Sequence, residues 1–520
     1  MKKILPFLIV LIIFGCDEDN PANVRQAKQI ELSEFTESSI HTELNKFEIA
    51  PLTVNISVWG KIDAMLELRV IDDMDKRVQK ESVIADDTTE FTFLGLFPGK
   101  ENFIELKFIR GNGDYALDTV SVTTDPLPEF MPDVSIVTPG SDNIEPGWNL
   151  CNFSIRENNT HHSYPYAFDK YGNVRWYMDV NFYNNFVFPI ELTPDKTLLF
   201  GYGNYIWEAD LSGEIVKEIH LPEVGNIHHD IIKLDNGNYI VSVAMGGTVI
   251  DSSGNTIETM DDNVIEVDQS GAILTTWDLR EILDIDRYDI VQNPQDWFHM
   301  NAIAYDASDH SLIISGRHQG VIKVDWNNNL KWIMSPHRGW GKSGRDGTGP
   351  DTKPYLLTAV DGAANPYNEN VQSGTENISE FEWPWGQHDP ELLPNGNIII
   401  FDNGTNRNFG MFDQNTNYSR MVEYKIDEEN MTIHQVWSYG RERGNELFSP
   451  IVSAVSYLPE TQNYLFVPGV LNNFNEAGII EIEPATKQVV FEARMLIKHL
   501  YGSNDWGNFD LTYRITRVKI

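Results

Sequence analysis

The sequence predicts an all-β protein, a six-bladed β-propeller with a small N-terminal immunoglobulin-like β-sandwich. Before about residue 125, short runs alternate apolar and polar side chains, and in the whole chain only residues 278–283 suggest a short turn of helix. Six times after about residue 132, an apolar strand ends in an acidic residue, a turn follows, and the next strand often carries an aromatic side chain. Successive irregular repeats of four-stranded size are typical of a β-propeller.

Length and charge limit the classes of protein and partner. The chain has 520 residues, too many for one ordinary compact core, which indicates at least two domains. The formal net charge of −38 argues against nucleic acid as a partner, because phosphate binding needs a basic face. Any anionic substrate must therefore be held by a local positive site against the field of the whole protein.

The N-terminus has the layout of a secretory signal. Lys2 and Lys3 precede an apolar run over residues 4–14, which is too short to span a membrane stably. Cys16 after Gly15 resembles a bacterial lipoprotein cleavage site. We therefore expect residues 1–16 to be a lipoprotein signal peptide and the mature protein to be lipid-anchored, facing the periplasm or on the cell surface. An ordinary signal peptide with an incidental cysteine remains the alternative.

Three segments lead into the propeller. Residues 17–45 are polar and are predicted to form a tether, residues 46–125 the β-sandwich, and residues 126–134 a stiff Pro-rich linker. The sandwich shows no chemistry of its own, so it is interpreted as a spacer or as a module through which a homodimer could form. Its predicted strands are residues 52–58, 64–70, 103–108 and 116–122.

The predicted catalytic domain covers residues 135–520. Residues 511–520 are expected to close the propeller by pairing with its first blade, and the long insertion over residues 335–385 is predicted to be a rim or lid over the central funnel. The six repeat units begin with Phe168-Asp169, Trp207-Glu208, Ile265-Glu266, Ile322-Lys323, Val422-Glu423 and Ile480-Glu481.

Three histidines occupy the same register in three of these repeats. His229, His299 and His388 each stand seven residues before the Asn or Asp of the following turn. Because the innermost strand of each propeller blade lines the central channel, we expect the three imidazoles near that channel on consecutive blades. A lone strand histidine is more often structural, but three in one register favour a functional site.

Two further residues are expected beside these histidines. Arg317 follows an apolar strand next to glycine, and Asn301 lies two residues past His299 on the same face of its strand. An arginine would oppose a zinc ion, whereas its planar fork suits a tetrahedral oxyanion. Imidazole can move protons or attack as a nucleophile, so transfer of a phosphoryl-like or sulfuryl group fits best. A zinc hydrolase and a non-catalytic propeller that binds sulfated or other anionic ligands stay open.

At these residues the sequence resembles the bacterial aryl-sulfate sulfotransferases that work without a nucleotide sulfate donor. The similarity extends over most of the chain and includes the final Tyr513-Arg514. The matching stretches are His229-Asp230-Ile231, Asp296-Trp297-Phe298-His299-Met300-Asn301, Ser315-Gly316-Arg317-His318-Gln319-Gly320 and Gly386-Gln387-His388-Asp389-Pro390.

The resemblance implies a ping-pong reaction without metal or diffusible cofactor. An aryl sulfate would give its sulfuryl group to His388, and a phenolic acceptor would then take it. His229, His299 and Arg317 would hold the sulfuryl oxygens and handle protons, with Asn301 as a helper. A sulfate-ester hydrolase, with water as the acceptor, is a further alternative.

Overall fold

The structure is a computed structural model. It describes residues 25–37, 39–141, 143–158, 160–180, 187–222, 224–250, 253–287, 290, 293–411, 417–502 and 509–520. The predicted signal peptide and Cys16 lie outside these ranges, so lipidation stays a prediction. No helix within the described ranges is long and apolar enough to span a membrane.

The chain divides into two compact units. The smaller consists of Ile56–Phe91 and Phe103–Ser121 together with the described residues of Met1–Thr42. The larger consists of Glu43–Asn55, Thr92–Asn102 and Val122–Ile520. The domain boundaries drawn from the sequence stay predictions.

Seven strands in the first part of the chain form two sheets, with the orders β1-β2-β5 and β4-β3-β6-β7. Side chains of β6 alternate between the interior and the surface, as the sequence pattern predicts: Leu106 and Phe108 are buried. The strands are β1 (His41–Leu44), β2 (Thr53–Trp59), β3 (Ala64–Val70), β4 (Gln79–Val83), β5 (Thr88–Leu94), β6 (Glu101–Ile109) and β7 (Tyr115–Thr123).

The described residues from 133 onward form strands with only short helical segments between them. The helices are α1 (Leu279–Ile282) and α2 (Glu369–Gln372), and α1 confirms the predicted turn of helix. In chain order the strands are β8 (Asp133–Thr138), β9 (Trp148–Glu157), β10 (Thr160–Ser163), β11 (Tyr166–Phe168), β12 (Val174–Tyr177), β13 (Phe188–Leu192), β14 (Leu198–Tyr202), β15 (Tyr205–Ala209), β16 (Ile215–His220), β17 (Asn226–Lys233), β18 (Tyr239–Ile250), β19 (Thr256–Val267), β20 (Ile273–Asp278), β21 (Met300–Asp306), β22 (Ser311–Gly316), β23 (Gly320–Asp325), β24 (Leu330–Met334), β25 (Thr358–Ala359), β26 (His388–Leu392), β27 (Ile398–Asp402), β28 (Arg420–Asp427), β29 (Thr432–Tyr439), β30 (Ala454–Leu458), β31 (Asn463–Val467), β32 (Glu476–Glu483), β33 (Gln488–Leu496) and β34 (Leu511–Val518).

Within the described residues, these strands form six sheets that follow one another along the chain. Each of the innermost strands β13, β17, β21, β26, β30 and β34 contacts the next in this order, which confirms the propeller class. The predicted closure is also present, because β34 pairs with β9 of the first sheet. The sheet orders are β10-β9-β11-β12 with β34 on β9, β13-β14-β15-β16, β17-β18-β19-β20, β21-β22-β23-β24, β26-β27-β28-β29-β25 and β30-β31-β32-β33-β8.

In several repeats the acidic residue at the end of the apolar strand caps the turn that follows it. Asp268 Oδ1 accepts hydrogen bonds from the backbone N–H groups of Ser270 and Ala272. Asp325 Oδ1 does the same for Asn327 and Asn329. A carboxylate that binds its own turn in this way substitutes for missing backbone partners. The repeated acid therefore has a structural role rather than a catalytic one.

The aromatic residue of the repeat joins neighbouring sheets. The indole N–H of Trp277, on β20, donates to the carbonyl of Asp325 at 2.8 Å in the following sheet. Trp437, on β29, makes the same kind of bond to Pro484 at 2.9 Å. Both indoles lie between two sheets, where apolar burial and one directed hydrogen bond hold the sheets together.

Part of the insertion over residues 335–385 lies at the outer edge of the fifth sheet. Its strand β25 pairs in parallel with β29, so Thr358 lies opposite Thr432. The insertion also buries Trp340 and Trp383. Its last residues lead into His388 at the inner edge, and the predicted role as a rim or lid over the funnel stays a prediction.

Candidate active site

β-Bulges lie at the histidines predicted from the sequence. In an antiparallel pair a bulge adds a residue to one strand and turns the neighbouring side chains to a new direction. A register shift thus lies at or beside each of His229, His299 and His388. The register shifts lie between Phe188 and Glu191 in β13, Ile227 and Ile231 in β17, Met300 and Ala302 in β21, His388 and Glu391 in β26, and Thr512 and Ile515 in β34.

The three equivalent positions differ in their backbone. His229 and His299 adopt left-handed φ values of 64° and 53°, whereas beside His388 it is the next residue, Asp389, that has a φ of 54°. A non-glycine residue in this region is strained and persists only where the surroundings impose it. The structure thus separates His388 from its two counterparts, which the sequence register alone did not do.

Four imidazoles lie in a chain of ring contacts. The ring centroids of His229 and His299 are 5.5 Å apart. His228 lies 5.0 Å from His229, and His318 lies 4.9 Å from His299. The sequence register left His228 and His318 out of the site, and the structure brings both beside it.

The ring of His388 has a defined tautomer. Its Nδ1 lies 2.8 Å from Asn403 Oδ1 and 3.1 Å from the carbonyl of Gly386. Both partners are acceptors, so Nδ1 carries the proton and Nε2 has a free lone pair. Burial, together with the nearby Arg317 cation, lowers the pKa of His388 well below its ordinary value. The ring therefore stays neutral, with Nε2 available as a nucleophile.

Asn403, which sequence reasoning missed, fixes this arrangement. Its Nδ2 donates to the backbone carbonyls of Ser449 at 2.8 Å and Val452 at 3.0 Å. Only an NH₂ group can satisfy two carbonyls, so Oδ1 must face His388. Asn403 stands two residues past Phe401, the strand partner of His388 in the hairpin, and that position was the one sequence signal that could have identified it.

Arg317 brings a half-buried cation close to His388. Its backbone N–H donates to the carbonyl of His299 at 3.0 Å. The side-chain Nε is buried without a hydrogen-bond partner, and Arg317 forms no ion pair with any residue that the structure describes. Burial lowers its pKa, but arginine stays charged in proteins. A partly buried guanidinium with an unused donor is suited to binding an anion.

Asn301 connects two of the innermost strands. Its Nδ2 donates to the carbonyl of Gln387 at 2.7 Å, and its buried Oδ1 has no partner. Gln387 in turn donates from Nε2 to the carbonyl of Gly316 at 2.9 Å. Asn301 therefore holds the residue before His388 against β21 and β22. The predicted residues His229, His299, Arg317 and His388 lie close enough for their charges to influence one another's pKa.

The C-terminal strand supplies a second arginine, Arg514, which differs from Arg317 because it forms ion pairs with carboxylates. Arg514 binds Asp230 at 3.1 Å, Asp389 at 3.5 Å and Glu191 at 3.4 Å. Asp230 and Asp389 directly follow His229 and His388, so one guanidinium ties together the backbones that present both histidines. Beside it, the Tyr513 hydroxyl lies 3.1 Å from His229 Nδ1. The sequence suggested Tyr513-Arg514 only through the family resemblance.

Replacing Arg514 with methionine is expected to reduce the free energy of unfolding by about 3–5 kcal/mol, because carboxylates would be left unpaired in the interior. Denaturant titration of the purified protein measures this loss. Adding Asp230→Asn to the variant should restore part of it, since one unpaired charge is then removed. An unchanged denaturation midpoint in Arg514→Met would contradict the proposed clamp.

Asp296, His299 and His318 each offer a metal-ligand atom within 4.8 Å of one another. These groups already satisfy each other: His299 Nδ1 binds Asp296 Oδ2 at 2.7 Å, and His318 Nδ1 binds the carbonyl of Asp296 at 3.0 Å. The charge of Arg317 acts on both Asp296 and His318. A nearby guanidinium disfavours a cation, so the set fits a hydrogen-bonded cluster better than a metal centre.

This geometry defines a class: a β-propeller that holds a neutral histidine with an open Nε2 near an arginine that has no ion pair among the described residues, an arrangement suited to tetrahedral oxyanions. The sequence profile described as Arylsulfotransferase (ASST) matches residues 133–504. The chain belongs to the arylsulfotransferase family.

Two relatives of this chain are arylsulfate sulfotransferases. The arylsulfate sulfotransferase AssT of Escherichia coli O6:H1 is 31% identical over 386 residues, 64% of this chain and 63% of that protein. AssT of Lelliottia amnigena is 31% identical over 390 residues, with the same shares of 64% and 63%. The match thus spans less than two thirds of either relative. Among solved structures, the WD40 domain of Neurospora crassa Pan2 aligns at 10% identity and a TM-score of 0.31 over 74% of this chain and 97% of that one, a similarity too weak to bear on function.

Proposed function

We propose that this protein transfers a sulfuryl group from a phenolic sulfate ester to a phenolic acceptor, with His388 as the transient carrier. The observation that carries the proposal is the free Nε2 of His388 in the electrostatic field of Arg317. Membership of the arylsulfotransferase family supports the choice of sulfur over phosphorus.

In the first half-reaction, the Nε2 lone pair of His388 attacks the sulfur of the aryl sulfate. The N–S bond forms as the S–O bond to the aryl group breaks, and the phenolic oxygen departs with the bonding electrons. The imidazole ring becomes positive as this happens. Its Nδ1–H then donates to Asn403 Oδ1 and the carbonyl of Gly386, and such charge-assisted bonds strengthen in the transition state.

The guanidinium of Arg317 is the group suited to the sulfuryl oxygens. A planar fork can donate two parallel hydrogen bonds to a tetrahedral oxyanion, and its Nε is already buried before the substrate arrives. Preorganised donors of this kind stabilise developing charge without reorganisation during the reaction.

The second half-reaction reverses the first. The oxygen of an acceptor phenol attacks the sulfur, the N–S bond breaks, and its electron pair returns to His388 Nε2. The acceptor loses its hydroxyl proton as the new S–O bond forms, which balances the proton taken up by the phenolate of the first half-reaction, and the nucleophile is restored with Nδ1 still protonated.

The test is incubation with p-nitrophenyl sulfate, followed by rapid measurement of p-nitrophenol and by mass spectrometry of the intact chain. We expect a burst of one equivalent per chain and an added mass of one sulfuryl group on the peptide that contains His388. Added phenol should then speed turnover and yield phenyl sulfate.

Two outcomes would overturn the proposal. Binding of aryl sulfates without a burst or an adduct would make the protein a non-catalytic binder of anionic ligands. Steady release of p-nitrophenol that phenol neither accelerates nor captures would make it a sulfate-ester hydrolase.

A further inference from the structure

A carboxylate lies against one ring nitrogen of His299. Asp296 Oδ2 is 2.7 Å from His299 Nδ1, and the two side chains are 28% and 30% exposed, respectively. Because a carboxylate accepts, Nδ1 must carry the proton, and Nε2 is left to take or give another. Nε2 of His299 has no hydrogen-bond partner among the residues that the structure describes. The His299 ring is thus hydrogen-bonded through Nδ1, while its Nε2 remains available to a substrate.

The other imidazoles of the cluster are less suited to carry a proton. Burial, with His228 and His299 close by, lowers the pKa of His229 well below its ordinary value. Burial lowers the pKa of His318 to about 4. His228 also faces a carboxylate, Asp262, at 3.2 Å from its Nε2, but its Nδ1 is engaged with Ser242 Oγ at 3.4 Å. His228 therefore has no free ring nitrogen for a substrate.

The hydrogen bond with His299 also affects the pKa of Asp296. Burial raises the pKa of this carboxyl, but the hydrogen bond from His299 together with the charges of the nearby histidines holds the pKa below its ordinary value. The carboxylate therefore stays ionised beside the ring. An ionised acid next to imidazole stabilises the imidazolium and fixes its tautomer, as in any carboxylate-imidazole pair of a general acid–base catalyst.

We propose that His299 carries the phenolic proton in both half-reactions and that Asp296 is the positioning residue that makes it able to do so. This inference rests on the proposed sulfuryl transfer. His299 Nε2–H gives its proton to the departing phenolic oxygen as the S–O bond breaks, which leaves the ring neutral. In the second half-reaction, Nε2 takes the hydroxyl proton of the acceptor as the new S–O bond forms. No proton is gained or lost over the cycle.

The assignment separates the two histidines that the sequence left equivalent. His229 stays neutral and can act only as a fixed hydrogen-bond partner within the site, while His299 changes its charge in each half-reaction. Asp296 and His299 are three residues apart, and both precede β21, which begins at Met300. The two side chains therefore pair within the turn that leads into this strand.

The test compares two donors in single-turnover measurements on the full-length Asp296→Asn variant. p-Nitrophenyl sulfate has a stable leaving group that needs little protonation, whereas phenyl sulfate has a basic one that needs a general acid. We expect the first half-reaction to slow about 10²-fold or more with phenyl sulfate and less than about 10-fold with p-nitrophenyl sulfate. Asp296→Glu, which restores a carboxylate, should recover part of the loss with phenyl sulfate.

Asp262→Asn is the matched control, since it removes the neighbouring carboxylate that faces His228. Any effect of this variant should be equal for the two donors. Equal slowing of both donors in Asp296→Asn would show that Asp296 only supports the fold, and would overturn the inference. Absence of a sulfuryl adduct in the unaltered protein would instead remove the proposed function itself, so the two failures are distinguishable.

Discussion

Replacement of His388 by alanine is expected to abolish both the burst of p-nitrophenol and the sulfuryl adduct, a loss of about 10⁴-fold or more in the first half-reaction. The reason is that Asn403 and Gly386 fix the tautomer of this ring and leave its Nε2 unprotonated. Stopped-flow release of p-nitrophenol and intact-mass spectrometry measure the two losses on the same sample.

The control is His310→Ala, because His310 is exposed and its ring stacks on Trp326 at 3.7 Å, outside the site. That variant should keep the full burst. A sulfuryl group that still appears in His388→Ala, mapped to the peptide of His299, would transfer the nucleophile role to His299, whose Nε2 is also free. A circular-dichroism melt of His388→Ala distinguishes loss of chemistry from loss of fold.

The repeat made the fold predictable because its two fixed residue types have local or near-local partners. The acid that ends a strand binds the turn immediately after it, as Asp268 and Asp325 do. The tryptophan reaches one sheet further, as Trp277 does with the carbonyl of Asp325. The acid and the tryptophan both recur with the strands, so the periodicity of the sequence made their positions predictable. The insertion over residues 335–385 has no periodicity, and its pairing with β29 could not be anticipated.

The site was only partly predictable, since its geometry depends on residues distant in sequence. Register identified His229, His299 and His388 because each occupies the same place in a repeat. The sequence register could not reveal the β-bulges. It also could not show that the left-handed φ falls on His229 and His299 themselves but on the residue after His388. Asn403 was invisible because its role comes from carbonyls some fifty residues later, at Ser449 and Val452.

Two arginines in the same interior have opposite roles, and their partners explain why. Arg514 is surrounded by carboxylates, among them Asp230 and Asp389, so its charge is already neutralised. Arg317 has no ion pair among the described residues, and its Nε is buried without a partner. In a chain with a formal charge of −38, a cation without an adjacent carboxylate partner is a local exception to the prevailing negative charge. Such a cation costs stability, and an anionic substrate is what would compensate it.

Replacing Arg317 with methionine should therefore change activity and stability in opposite directions. Sulfuryl transfer is expected to fall by about 10³-fold, because the planar donor fork is lost from the transition state. The free energy of unfolding is expected to rise by about 1 kcal/mol, because a partly buried charge without an ion pair among the described residues is replaced by an apolar side chain of similar length. Burst kinetics and denaturant titration measure the two changes.

The most direct test of this prediction compares the stability of Arg317→Met with that of Arg514→Met. Both remove an interior guanidinium, yet the first should stabilise the fold and the second should destabilise it. Arg317→Lys keeps the charge but not the fork, so its activity should lie between that of the unaltered protein and that of Arg317→Met. Equal destabilisation by both methionine variants would mean that Arg317 has a structural counter-ion. The protein would then hold no unpaired cation for the substrate, and the sulfuryl oxygens would have to be bound by the imidazoles alone.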